Sequence, residues 1–411
     1  MLVLFNAMLA DTLFYSSLIG LCASTVFLGL VFTAAVVRFF ASYARKTAAE
    51  TDAPFQPVTI FKPLHGLEPL LAQALESFFV QDYPVFELIF GARTADDPAL
   101  QIVKILQKKY PHIPTRIILS GEPDYPNAKV FALEKMIAAA SHPILVLTDS
   151  DVRVTPDYLK RVVRPLLDSS VGLVTCIYRG VPVGGLWSRL EAMGMSVEMS
   201  SGVLVANLLE GMKFALGPTM ALSAGDLSKL GGIRVLRDYC ADDFVLGSLI
   251  AASGKRVVLS DHVIDHIVVN KSARLSLLHQ VRWMKSSRFS RRLGHIGSGL
   301  TFAMPFGLLG LLAGWMRGDW VLGLGLLAAA YLNRVIQSLV VGWGVVRDRN
   351  SLWFCWLYPA RDLLGFFLWC ASFVGSEIVW RGERYRLIAD GKIIRKSGPP
   401  CPAPKPQNVT A

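Results

Sequence analysis

Between residues 58 and 151 four short apolar runs alternate with three amphipathic stretches, and this pattern restricts the fold more than any other feature. VTIFKPL (58–64), FELIFGAR (86–93), TRIILSG (115–121) and PILVLTDSD (143–151) read as strands. LEPLLAQALESFFVQDYP (67–84), DPALQIVKILQKKYP (97–111) and NAKVFALEKMIAAA (127–140) carry helical apolar spacing, and Pro84 and Pro111 stop the first two. Such alternation argues an α/β fold, a mostly parallel sheet with helices on both faces. Ligands of these sheets bind beyond the carboxyl ends of the strands. Asp97 and the pair Asp149/Asp151 fall at such ends, which places them on one rim of one sheet.

The flanks of this segment are of another kind. Residues 13–37 carry no charge and are long enough to span a bilayer as a helix. They lack the basic start and small-residue cleavage site of a secretory signal. After His295 the chain turns apolar again in 296–316, in 320–346 (interrupted by Asn333-Arg334) and in 352–380 (with Pro359, Arg361 and Asp362). The expected layout is an N-terminal membrane anchor and basic linker (1–53), an α/β segment (54–295) ending in an interfacial helix (272–292), membrane segments (296–380) and a basic tail (381–411). Ionisable groups at membrane depth are costly and usually paired or functional, so Arg334 is expected to pair with Asp362.

The formal charge of +11 is concentrated in 38–46, 271–292 and 381–405, each beside an apolar segment. Basic flanks mark the cytoplasmic side, which puts the α/β segment and the tail in the cytoplasm. Four full spans would put the tail outside, so 352–380 is expected to be re-entrant or interfacial, or one other segment does not span. No zinc-finger spacing, RNP-like aromatic motif or basic zipper is present, which argues against a nucleic-acid partner. The six cysteines include no C-x-x-C and support neither a disulfide framework nor a thiolate metal site. The sequon at 408–410 carries no inference.

Four polar constellations can carry chemistry, and each has a plainer reading. Asp97 can accept hydrogen bonds from a nucleoside, or cap a helix N-terminus. Asp149-Ser150-Asp151 closes a strand with two carboxylates one residue apart; these can bridge a divalent cation to a diphosphate, or line a solvated turn. Asp242-Asp243 precedes an amphipathic helix, as a general base or as an acidic first turn. HQVRWMKSSRFSRR (279–292) offers Arg282 for phosphate and Trp283 for stacking, or is a basic helix lying on a membrane surface. The apolar stretch 199–217 either shapes an acceptor mouth or is a buried helix and strand.

Taken in order, Asp97, DSD, ADD and (H)QVRW resemble the D, D, D, (Q/R)-x-x-R-W series of membrane-bound glycosyltransferases with the GT-A fold. More narrowly, the chain resembles the ceramide glucosyltransferase family, glycosyltransferase family 21. The likeness is carried by IFKPLHGLEP (60–69), SFFVQDYP (77–84), DDPA (96–99), NAKVFAL (127–133), DSDVRVTPDYL (149–159), VGLV (171–174), ADDF (241–244), RWMKSSR (282–288) and WRGERYRL (380–387), across about residues 55–388. The resemblance implies a membrane-bound, inverting transfer of a hexose from a UDP-sugar to a lipid hydroxyl, with ceramide as acceptor and UDP-glucose as donor. Asp97, Asp149, Asp151 and Lys129 would bind the donor. Asp149 and Asp151 would hold a divalent metal, Mg²⁺ or Mn²⁺. Asp243 would be the catalytic base, and Arg282, Trp283 and His279 would meet the phosphates and the acceptor.

Two departures stand out. His279 occupies the position of (Q/R), with Gln280 one residue late. Both Asp149 and Asp151 are present where eukaryotic relatives tend to have one acid. Bacterial hopanoid glycosyltransferases are also similar, in the DSD and in LVTCIYRGVPVGGLWSRL (173–190), which keeps a hopanoid acceptor with UDP-N-acetylglucosamine as the rival reading and implies a bacterial inner membrane. A rival of another class is a membrane scaffold or transporter with a degenerate α/β segment. A processive polysaccharide synthase fits less well, because the membrane portion is small for a polymer channel.

Overall fold

A computed structural model describes residues 2–47, 55–270 and 272–396. The linker residues 48–53, Lys271, Cys401 and the 408–410 sequon lie outside the described residues. The chain divides into two compact units. The α/β unit comprises the described parts of 48–183, 209–269 and 376–411, and the helical unit those of 1–47, 184–208 and 270–375.

The α/β unit is built on strands β1 (Val58–Pro63), β2 (Phe86–Ala92), β3 (Thr115–Leu119), β4 (Ile144–Leu147), β5 (Val152–Arg153), β6 (Val171–Pro182), β7 (Met220–Ser223) and β8 (Arg256–Val268). They form one eight-stranded sheet in the order β3-β2-β1-β4-β7-β6-β8-β5. The four strands expected between 58 and 151 are β1 to β4, all parallel. Strand β7 runs antiparallel between β4 and β6, and β6 is parallel to β8. Every residue of β1, β2 and β4 is buried, as strands covered on both faces should be.

Helices Leu71–Phe79, Ala99–Lys109 and Ala128–Ala138 are the crossovers. The first two bury Leu75, Phe78, Leu100 and Val103 in the same core as Ile60, Leu88, Phe90 and Val146 from the sheet. Burying each such side chain is worth about 1.5–3 kcal/mol relative to exposure. The third helix starts at Asn127, whose side chain accepts from the Val130 amide at 3.0 Å.

Connectivity positions the site. The chain runs outward from β1 to β2 to β3 and then returns to lay β4 on the other side of β1. The loops leaving β1 and β4 therefore flank a topological switch point, where open α/β sheets bind ligands. The DSD loop is one of them.

The C-terminal residues of this unit form a second sheet, β9 (Glu377–Trp380), β10 (Glu383–Leu387) and β11 (Ile393–Arg395). The sequence assigns 381–396 to a basic tail; the structure makes it part of the α/β unit. Main-chain hydrogen bonds from Ile393 to the Asp238 carbonyl (2.7 Å) and from Cys240 to the Gly391 carbonyl (3.0 Å) join it to the loop that precedes Asp242-Asp243.

In the helical unit, among the described residues, three helices are long and apolar enough to cross a membrane: Leu4–Tyr43, Leu186–Glu210 and Trp320–Val345. The bent pair Arg292–Thr301 and Met304–Met316, angled by 49°, would make a fourth if it counts as one span. The sequence places 184–208 inside the α/β segment, yet the structure groups it with the apolar helices, and Ser200–Glu210 continues the helix that begins at Leu186. The 352–380 stretch breaks into Arg349–Trp353, the helix Tyr358–Ser372 and β9. The Arg334–Asp362 pair forms as expected, at 3.1 Å and with both side chains buried.

Candidate active site

The strand β4 delivers Asp149-Ser150-Asp151 to the switch point, and a buried lysine shapes the turn. Lys62, near the end of β1, donates from Nζ to the Asp149 carbonyl at 2.6 Å and sits 3.6 Å from the centre of the Phe78 ring. Burial lowers its pKa to about 7, against the pull of Asp151, Asp149 and Glu68. Glu68, in the loop after β1, accepts from the Ser150 hydroxyl at 3.0 Å. Burial and the Asp151 charge push Glu68 up to about 7.

The two acids of the DSD turn have different surroundings. Asp149 Oδ1 lies 2.8 Å from Lys129 Nζ. Burial pushes Asp149 up, but the charge and hydrogen bond of Lys129 outweigh it and hold the carboxylate below its ordinary value. Asp151 Oδ2 is 3.6 Å from His266 Nε2, while its Oδ1 is buried with no hydrogen-bond partner among the described residues.

The helix Asp242–Ala252 supplies the opposing acids. Asp242 faces Lys129 at 3.6 Å. Asp243 Oδ2 accepts from the Gly217 amide at 2.6 Å and Oδ1 from the Phe244 amide at 2.8 Å. A Cβ at Gly217 would lie 3.1 Å from Asp243 Oδ2 and 3.6 Å from Asp149 Oδ2. One glycine therefore stands against both carboxylates, one arriving from β4 and the other from a helix nearly a hundred residues later. Burial, then repulsion by Asp242, raise Asp243 to about 6, and Lys129 and the two amides oppose the rise.

Asp97 Oδ1 accepts from the Ala99 amide at 2.9 Å at the start of the 99–109 helix. Both its oxygens also accept from the Gly66 amide, at 3.1 and 3.0 Å, tying the β1 and β2 loops together. His279, Arg282 and Trp283 lie on the helix Ala273–Ser290 of the helical unit, not in the unit that carries the carboxylates. There His279 Nδ1 meets buried Glu191 at 2.6 Å, and its ring stands 4.4 Å from that of Trp283.

Sequence reasoning missed Lys62, Glu68, His266 and Arg381. The strand 58–64 ending in a basic residue was the signal for Lys62. Arg381 and Gly382 form the two-residue turn between β9 and β10, both with positive φ (50° and 80°), a pairing suited to a twisted hairpin but strained at the arginine. Arg93, Lys129, Trp380, Arg381, Glu383 and Tyr385 line one recess. The Arg381 charge is near enough to Asp149 and Glu68 to pull both carboxyls toward ionisation.

A divalent cation suits this donor set. The oxygens are hard carboxylates, and the unpartnered Asp151 Oδ1 beside Asp149 has capacity for a further ligand. Among the described residues no three His, Cys, Asp or Glu groups form a complete cage. Mg²⁺-type sites commonly use one or two carboxylates and take their remaining ligands from substrate phosphates.

Comparison with known proteins places the chain in a family. The family model for glycosyl transferase family 21 matches residues 17–393. Ceramide glucosyltransferase 1 of Caenorhabditis elegans is 25% identical over 401 residues, covering 94% of this chain and 83% of the relative. Ceramide glucosyltransferase of Komagataella phaffii is 34% identical over 128 residues, 30% of this chain and 25% of the relative. A solved mannosyltransferase from Pyrobaculum calidifontis, in complex with GDP-Man and Mn²⁺, aligns at TM-score 0.44 and 19% identity over 85% of this chain and 99% of its own. The chain is a hexosyltransferase with an α/β unit and, among the described residues, apolar helices suited to a membrane. It belongs to glycosyl transferase family 21.

Proposed function

We propose that the protein transfers a hexose from a UDP-sugar to a lipid hydroxyl with inversion, and that the reaction is UDP-glucose plus ceramide giving glucosylceramide plus UDP. The observation that carries the reading is the meeting of Asp149 and Asp243 at Gly217, with Asp243 raised to about 6. A base of that pKa is ionised at neutral pH and basic enough to take a proton from a hydroxyl as its oxygen attacks. The acceptor oxygen bonds to the anomeric carbon, its proton passes to Asp243, and the bond from that carbon to the UDP oxygen breaks on the opposite face. One displacement turns the α-linked donor into a β-linked product.

The rest of the site serves the leaving group. Asp149 and Asp151 would hold the divalent metal, Mg²⁺ or Mn²⁺, which when bound supplies positive charge to the diphosphate. Lys129 keeps Asp149 ionised and oriented, and Arg381 adds a cation on the donor side. Asp97 fixes the loops that would receive the nucleoside. Arg282, Trp283 and His279 are assigned to the phosphates and the acceptor on the strength of the shared motif. The α/β unit would face the cytoplasm, where nucleotide sugars are made, from a bacterial inner membrane.

The test is purified full-length protein with ceramide and with a hopanoid polyol, each offered UDP-glucose and UDP-N-acetylglucosamine, with products weighed by mass spectrometry. Glucosylceramide is the expected product. N-acetylglucosaminyl hopanoid in its place would move the acceptor and donor to the rival reading, and no lipid product with any pair would sink both.

A further inference from the structure

Neighbours on the helix Tyr358–Ser372, Arg361 and Asp362 are both buried, yet their hydrogen bonding differs. Asp362 Oδ1 receives Arg334 at 3.1 Å, and Oδ2 receives the Ala303 and Met304 amides at 3.0 and 2.9 Å. Arg334 further donates to the Thr301 carbonyl at 3.0 Å and to the Asn333 side chain at 3.1 Å. This pair is satisfied, and it joins three segments of the helical unit. Its role is structural.

Arg361 has no such network. Its Nη2 lies 3.1 Å from Glu198 Oε2, close enough for an ion pair but not aligned as a hydrogen bond. Among the described residues, Arg361 Nε and Nη1 and Glu198 Oε2 are buried with no hydrogen-bond partner. The Arg361 side chain is 4% exposed and that of Glu198 is 22% exposed. Unmet charge and hydrogen-bonding capacity among apolar helices is costly, which marks the pair as a candidate functional site.

The surrounding backbone is built to admit this pair. Glu198 lies in a π-helical stretch, Gly194–Met199, inside the apolar helix Leu186–Glu210. Such turns are rare and recur at functional sites. A Cβ at Gly194 would fall 2.3 Å from Arg361 Nη2, and one at Gly365 would fall 2.8 Å from both Arg361 Nη1 and Glu198 Oε2. A side chain at either position would displace the guanidinium or the carboxylate from where they now meet.

The chemistry of the pair selects its ligand. Its net charge is zero, so a charged head group would leave a charge unbalanced. A neutral head with a hydroxyl to donate and a neighbouring oxygen to accept would complete both groups. We infer that Glu198 and Arg361 form a binding site for the uncharged, hydroxyl-bearing head of a membrane lipid, Glu198 accepting from the hydroxyl and Arg361 donating to the adjacent oxygen. Ceramide and a hopanoid polyol share this chemistry. The inference deepens the lipid-acceptor reading above and rests on it.

The test uses detergent-purified full-length protein and two readouts. In kinetics, Glu198→Gln should raise KM for the lipid acceptor about tenfold or more, the loss expected for a charge-assisted hydrogen bond, while KM for the UDP-sugar stays within about twofold. Arg361→Lys, which keeps the charge and loses the fork, should act in the same direction. An unchanged acceptor KM in both variants, or donor and acceptor KM rising together with a lowered melting temperature, would overturn the site. In the second readout, a photoreactive ceramide and a photoreactive hopanoid polyol are crosslinked to the wild type and the labelled peptides mapped. Label on 194–199 and 358–365, competed by the unlabelled neutral lipid and not by an anionic phospholipid, is expected, and the probe that labels tells which lipid is bound. Label elsewhere, or equal competition by the anionic lipid, would overturn it. If the wild type glycosylates no lipid but the neutral probe still labels this pair, the transfer reading fails and the site stands.

Discussion

At the scale of single residues, the site turns on two acids that look alike in the sequence. Asp149 is held ionised by Lys129, whereas Asp243 is buried beside Asp242 and pushed up to about 6. A base with that pKa is protonated, and useless, in acid. The acid limb of kcat/KM should therefore fall tenfold per pH unit below about 6 and flatten above it; a limb near 4 would show that Asp243 titrates as an ordinary carboxyl or is not the base. Gly217 offers a second test. The Cβ of Gly217→Ala would sit 3.1 Å from Asp243 Oδ2, in the space that separates the two carboxylates. Transfer should drop at least tenfold with little loss of fold, and full activity would mean that nothing reacts in that gap. The candidate acids were legible in the sequence because carboxylates cluster at element ends. The resemblance supplied their expected roles, but their different surroundings were not legible, because these depend on Lys129 and Gly217, brought close only by the fold.

At the scale of elements, the parallel strands were legible because strands covered on both faces are mostly apolar; β4 is so throughout, and β1 and β2 are apart from Thr59, Lys62 and Glu87. The C-terminal sheet was not. Residues 381–396 read as a basic tail because their charges suit a membrane flank, and nothing local says that β11 bonds to the loop at 238–240. That attachment carries the β9–β10 turn to the recess of Arg93 and Lys129. Arg381→Ala should raise KM for the UDP-sugar about tenfold, the size of a lost charge-assisted contact, and leave KM for the acceptor unchanged. The helix Leu186–Glu210 escaped for a related reason. Its apolar residues look like core to a sequence reading, and Glu191 and Glu198 interrupt the uncharged run that marks a span.

At the scale of the whole molecule, the chain joins an α/β unit of water-soluble chemistry to a helical unit suited to lipid, and each spends buried charge differently. Arg334 and Asp362 were expected to pair, since ions at membrane depth seldom stand alone, and they do at 3.1 Å. Removing one partner leaves the other buried and uncompensated. Arg334→Ala should cost about 3–5 kcal/mol of stability, read as a lowered melting temperature and poor recovery from the membrane; a variant as stable as the wild type would show that Asp362 finds other partners. The central claim concerns the other unit, that Asp243 takes the acceptor proton. It is tested most directly by the single-turnover rate of Asp243→Asn with saturating UDP-glucose and ceramide, in protein shown to bind UDP-glucose normally. A fall of at least a hundredfold is expected, and a rate within a few-fold of wild type would contradict the account.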